Sequence, residues 1–183
     1  RYNPWWETKV FSPPDIFRRE IIFKTLLRQL NNRQIIFLTG LRRIGNTTLL
    51  KLIVQHLISE KGIPPEKILY VSLDDYLLSK YSIIEIVEKF RVIHRHKFKE
   101  HLYLLLDEIT YKDNFEIQLK NLFDSHNVKI IASSSSATLL KNKKSYLTGR
   151  NTLVEVLPLD FHEYLQFKNI QISKADNHLQ KKY

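Results

Sequence analysis

GLRRIGNTTLL, residues 40–50, follows the β-rich run IIFLTG and opens an apolar pattern of helical period. A strand, a glycine loop and a helix N-terminus in that order form an anion cradle. Backbone N–H groups converge there, and the helix dipole adds about half a positive charge. Gly40 and Gly45 let the backbone turn without a Cβ clash. Thr47 stands where a hydroxyl would ligate Mg²⁺ on bound phosphates. Taken alone, glycines at this spacing are a weak signal.

A second motif strengthens the first. LLLDE ends a strand-like run with Asp107 and Glu108, and ligands of open α/β sheets sit at the C-terminal ends of strands. A carboxylate there can hold Mg²⁺ through its water shell, and its neighbour can orient and deprotonate an attacking water. The alternative reading of LLLDE alone is a solvent-capped acidic turn.

The remaining chain supplies the elements between these motifs. Apolar periodicity predicts helices over about 14–30, 47–60, 82–95 and 114–124, with a short one in FHEYLQF. The first is expected to be capped by Ser12 and Asp15. Strands are expected near 35–39, 68–73, 102–107, 128–132 and 152–157. Strands alternating with helices favour a parallel sheet covered on both faces.

Composition sets outer bounds. The 183 residues are 43% hydrophobic and 26% charged, with no cysteine, so disulfides and thiolate zinc sites are excluded. No apolar run approaches the roughly 18 residues of a membrane-spanning helix, and no signal-peptide core opens the chain, so no membrane partner and a cytoplasmic location are expected. The absent initiator methionine and the ending HLQKKY lead us to expect a longer parent chain. Residues 1–30 read as a segment and helix leading into a domain at 31–170, and 171–183 as the start of a linker or further region. A net charge of +10 leaves two readings: a surface that attracts nucleic acid or a protein partner, or scattered lysines with no such role.

GLRRIGNTTLL, ILYVSLDD, LYLLLDEIT, KIIASSSSATLL, YLTGR and VLPLDFHEYL, in this order, resemble the prokaryotic AAA-type P-loop ATPases of the archaeal-ATPase group. The likeness is closest to members whose ATPase domain precedes an uncharacterised C-terminal domain. It implies a three-layer αβα P-loop fold with parallel sheet order 5-1-4-3-2, binding of ATP with Mg²⁺, and hydrolysis of ATP. Carried over by position, Gly40, Arg43, Gly45, Asn46, Thr47 and Thr48 belong to the phosphate loop. Thr47 and Asp107 match the Mg²⁺ residues, and Glu108 the catalytic carboxylate. Ser135 matches a sensor serine if Ser134 replaces the glycine of a Gly-Ser pair. Arg150 matches an arginine that could contact a γ-phosphate in cis or from a neighbour; its other reading is a structural ion pair.

One residue departs from the family loop. Asn46 stands where lysine is expected, and asparagine is short, neutral and limited to amide hydrogen bonds. Phosphoryl transfer depends on positioning and electrostatics, so the resemblance implies weakened binding and poor turnover. Degeneration to a sensing or scaffold domain, an introduced change and a compensated enzyme all stay open. The alternative function is an inactive scaffold that binds nucleic acid or a protein, with oligomeric state undetermined. Among weaker features, His94, His96 and His101 read as a solvated basic face rather than a metal site. KNKK (141–144) reads as a surface loop, Trp5 and Trp6 either stack on adenine or pack on the domain edge, and Asp74 and Asp75 read as turn residues.

Overall fold

The computed structural model describes residues 2–13, 16–136 and 147–170; KNKK and residues 171–183 lie outside them. Its strands are β1 (Ile35–Gly40), β2 (Ile68–Ser72), β3 (Leu102–Asp107), β4 (Val128–Ser134) and β5 (Asn151–Val156). All pair in parallel in one sheet ordered β2-β3-β4-β1-β5, the order implied by the resemblance. The helices are α1 (Trp5–Thr8), α2 (Glu20–Leu30), α3 (Asn46–Ser59), α4 (Ile83–His94), α5 (Phe115–Ser125) and α6 (Phe161–Phe167).

The aliphatic strand runs have a physical cause. Both faces of a parallel sheet are covered, so side chains on either side must be apolar. Ile36, Leu38, Leu105 and Ile131 pack with Leu50 and Ile53 of α3 and Leu26 of α2. Their neighbours Ile35, Phe37, Leu104 and Ile130 point the other way, onto Val87 of α4 and Leu119 of α5. Right-handed crossovers explain the division. The chain crosses the sheet in one direction from β1 to β2 and returns through β3 and β4, so α3 falls on one face and α4 and α5 on the other. This winding also sets β3, β4 and β1 side by side with their C-terminal ends together.

Several local expectations change. α2 begins only at Glu20, because Arg19 is extended (φ −76°, ψ 91°). Its guanidinium forks onto Glu163 of α6 at 2.7 and 2.9 Å and donates to Leu157 O at 2.6 Å. This tertiary clamp overrides the local helical pattern; Ser12 does not open the helix, and Asp15 lies outside the described residues. Trp5 and Trp6 both donate their indole N–H groups to Ile68 O, at 3.2 and 2.9 Å. They therefore seal the start of edge strand β2, and the adenine-stacking reading falls. His94 and His96 are not a solvated face: their rings stack with centroids 5.7 Å apart beside Phe90, and His96 Nε2 bonds Glu66 O at 2.8 Å. Asp75 caps a turn, accepting from Leu77 N at 2.8 Å, as expected.

Lys129 of β4 is 4% exposed. Its ammonium donates to Gln29 O (2.9 Å), Gln34 O (2.7 Å) and Asn32 O, closing the C-terminal end of α2. Burial pushes this ammonium down from 10.5 to about 8. Between those values the unfolded chain keeps a proton that the folded chain has released, so stability rises with pH across that window. Below it, the cost of burying the charge is present in full. Urea denaturation from pH 7.5 to 9.5 should therefore show the wild type gaining on Lys129→Met, approaching about 1.4 kcal/mol per pH unit. Parallel curves for the two proteins would refute the assignment.

Candidate functional site

The loop after β1 is built on steric necessity. A Cβ on Gly40 would meet Val156 O at 2.6 Å and Ile44 Cγ2 at 2.8 Å. The chain then turns through two left-handed residues, Arg43 (φ 66°) and Gly45 (φ 107°). α3 starts at once, with Leu49 N–H bonded to Gly45 O at 2.9 Å. The first N–H groups of a helix have no intrahelical partner, so those of Asn46, Thr47 and Thr48 are left to a ligand or to water.

Asp107, at the end of β3, is 2% exposed. Its Oδ2 accepts from Thr47 Oγ1 at 2.7 Å and from Tyr70 Oη at 2.8 Å, while its Oδ1 accepts from Ser133 Oγ. Glu108 follows in the left-handed region (φ 53°), uncommon for a residue with a side chain. Ser133 Oγ accepts its N–H at 3.0 Å, and Ser135 holds its carboxylate through Oγ at 2.9 Å and N–H at 3.2 Å. The turn at Glu108 thus swings its side chain from the strand toward the tip of β4. Burial, reinforced by Asp107, pushes the Tyr70 phenol well above its usual range, so it stays a neutral donor.

Asn46 is 7% exposed. Its amide nitrogen donates weakly to Ser134 O at 3.4 Å, and its Oδ1 has no hydrogen-bond partner among the described residues. Ser134 Oγ is occupied by Thr110 Oγ1 at 3.0 Å. A cavity of about 200 Å³ is lined by residues 41–48 together with Glu108 and Ser135. A second, of about 350 Å³, shares Arg43, Ile44, Gly45 and Thr48 with it and extends over Ile16, Phe17 and Phe167. The larger hollow of about 620 Å³ lies around the N-terminal ends of β3 and β4 and contains none of these loop residues.

Gly40, Arg43, Gly45, Asn46, Thr47, Thr48, Asp107, Glu108 and Ser135 are therefore gathered at one end of the sheet. Arg150 is not. It precedes β5, and its carbonyl accepts from Ile35 N at 2.8 Å, at the start of β1. A six-residue strand, roughly 17 Å, separates that end from the loop, and the guanidinium pairs with Asp124 at 2.9 Å. The expected contact in cis is corrected accordingly. Tyr70 and Thr110, which join these contacts, were missed by sequence reasoning; the available signal for Tyr70 was a phenol within the buried run ILYVS.

A parallel sheet in this order, with a glycine loop closing β1 and a carboxylate pair closing β3, defines an AAA-type P-loop NTPase fold. A family model described as an AAA domain matches residues 32–165, and the chain belongs to that family. It is 35% identical over 128 residues to an uncharacterised protein of Methanocaldococcus jannaschii, covering 69% of this chain and 26% of that protein's length. Among solved structures, AMPPCP-bound DnaA from Aquifex aeolicus aligns with a TM-score of 0.54 at 20% identity, over 95% of this chain and 58% of that one. A DNA replication initiation factor aligns with a TM-score of 0.53 at 21% identity, over 100% and 61% of the two chains. Among the described residues no helix is long and apolar enough to cross a membrane.

Two substitutions separate the site from its surroundings. Ser133→Ala strips acceptor or donor from both Asp107 and Glu108 in a buried setting and should cost about 1–3 kcal/mol in urea denaturation. Arg150→Ala removes an exposed pair and should leave the midpoint nearly unchanged. Reversal of that ranking would contradict the contacts described.

Proposed function

We propose that this domain binds ATP with Mg²⁺ weakly and hydrolyses it slowly to ADP and phosphate. The observation that carries the reading is the meeting of Thr47 with Asp107, and of Ser135 with Glu108, around one loop-lined cavity. The N-terminal N–H groups of α3 bind phosphate oxygens. Thr47 and Asp107 offer hard oxygen donors that fit Mg²⁺ and would hold it. That ion, when bound, spreads the charge that develops on the phosphates. Glu108 orients the attacking water and takes its proton, with Ser135 fixing the carboxylate. We assign the base to the neighbouring cavity, whose lining includes Ile16, Phe17 and Phe167.

Asn46 limits the chemistry. A lysine would bring a full charge to the phosphates, whereas Asn46 presents a dipole already turned toward Ser134. The backbone donors are untouched, so binding falls less than turnover. Calorimetry and phosphate-release assays on Asn46→Lys should show tighter ATP–Mg²⁺ binding and hydrolysis raised by roughly 10²-fold or more, the scale of one preorganised charge-stabilising group. Glu108→Gln in that background should abolish the gain. Unchanged rate and affinity after Asn46→Lys would sink the reading. Steeply salt-dependent binding of DNA or RNA with no nucleotide heat would instead support the inactive scaffold.

A further inference from the structure

We propose that Tyr70 is a positioning residue for the metal-holding carboxylate Asp107, and that the N-terminal segment holds Tyr70 in register. This rests on the reading of Thr47 and Asp107 as the Mg²⁺ residues.

Tyr70 lies on β2 and pairs in register with Leu105 of β3, two residues before Asp107. Two strand residues span roughly 6.6 Å, about the length of a tyrosine side chain leaning along the strand. The phenol therefore reaches the carboxylate end-on, at 2.8 Å, on the same oxygen that Thr47 contacts. With Thr47 and Tyr70 on Oδ2 and Ser133 on Oδ1, three of about four lone-pair sites are filled. The carboxylate can neither rotate nor tilt without breaking a buried hydrogen bond. Thr47 is the donor whose oxygen would also face a metal. Tyr70 and Ser133 therefore keep Asp107 oriented when Thr47 is engaged.

β2 is an edge strand, and its free side would ordinarily face water. Here the Asn3 side chain acts as a surrogate strand: its Nδ2 donates to Tyr70 O at 3.0 Å and its Oδ1 accepts Tyr70 N–H at 2.8 Å. Both backbone groups of the β2 residue that reaches Asp107 are thus held from outside the sheet. Trp5 and Trp6 fasten Ile68 two residues earlier, and Tyr2 Oη donates to Asp75 just beyond the strand. The clasp brackets Tyr70 on both sides.

The test is a Mg²⁺ titration of ATP binding by calorimetry, in the native chain and in Asn46→Lys, with parallel measurements in chelator. Tyr70→Phe deletes one oxygen and should raise the Mg²⁺ concentration for half-maximal binding about 10-fold, the scale of losing a hydrogen bond to a metal-holding carboxylate. Metal-free ATP affinity should not move. Asn3→Ala, which leaves the phenol in place, should shift the same Mg²⁺ midpoint in the same direction by less, and it carries the test if Tyr70→Phe does not fold. An unchanged Mg²⁺ midpoint in these variants, where Asp107→Asn abolishes metal dependence, overturns the role of Tyr70 alone. So does an equal loss of metal-free binding, which would mark general loosening. Absence of nucleotide binding in both backgrounds overturns the underlying reading and this inference with it.

Discussion

A carboxylate removed from water must be matched by donors, and Asp107 is matched by three hydroxyls from three separate elements: Thr47 of α3, Tyr70 of β2 and Ser133 of β4. None of these is near Asp107 in sequence. Each reaches it only if β2 and β4 flank β3 and α3 begins over the same end of the sheet. The winding of the chain and the burial of this carboxylate therefore depend on one another. A shift of one residue in the β2–β3 register would turn Tyr70 to the α4 face, leaving Oδ2 with Thr47 alone.

The fold was largely legible because a two-sided parallel sheet demands aliphatic runs, and IIFLTG, LYLLLD and VKIIASS have no other comfortable place. The loop and the carboxylate pair were legible because their chemistry needs fixed residue types at strand ends. The start of α2 was not, since Arg19 answers to Glu163, far away in sequence. The contact of Arg150 in cis failed for a different reason, and a contact made from a neighbouring copy is a separate reading. Matching it to a family arginine ignored its place before a strand rather than after one, and in such sheets ligands gather at the C-terminal ends. The order YLTGR then NTLVEV already contained that objection.

Net charge needs the same spatial reading. Lys129 and Lys112 are buried and serve carbonyls: Lys129 closes α2, and Lys112 gathers Leu78 O, Ser79 O and Tyr81 O. Arg91, also buried, donates to Lys97 O at 2.8 Å. These three cations are structural, but two carboxylates, Asp107 and Glu116, are buried as well, so among the described residues burial changes the excess of +10 by about one charge. The scaffold reading keeps its motivation, and exposed Arg42 and Arg43 lie within the loop itself.

Asn46 leaves its position in the loop uncharged, beside carboxylates that are held by hydrogen bonds. Glu108 still occupies a left-handed conformation that costs on the order of 1–3 kcal/mol. Such a conformation persists only where its surroundings enforce it: here Ser133 takes its N–H and Ser135 holds its carboxylate. Those two serines, with Thr47 on Asp107, form an arrangement suited to water and phosphate and hard to account for as packing alone. The Oδ1 of Asn46, buried and without a hydrogen-bond partner among the described residues, adds to the Asp107 and Glu108 carboxylates a further oxygen whose polarity opposes an anion. The conflict is electrostatic. It weighs most where negative charge is redistributed during transfer and least where backbone N–H groups alone grip the phosphates. On the proposed reading, holding a nucleotide and cleaving it are therefore separable.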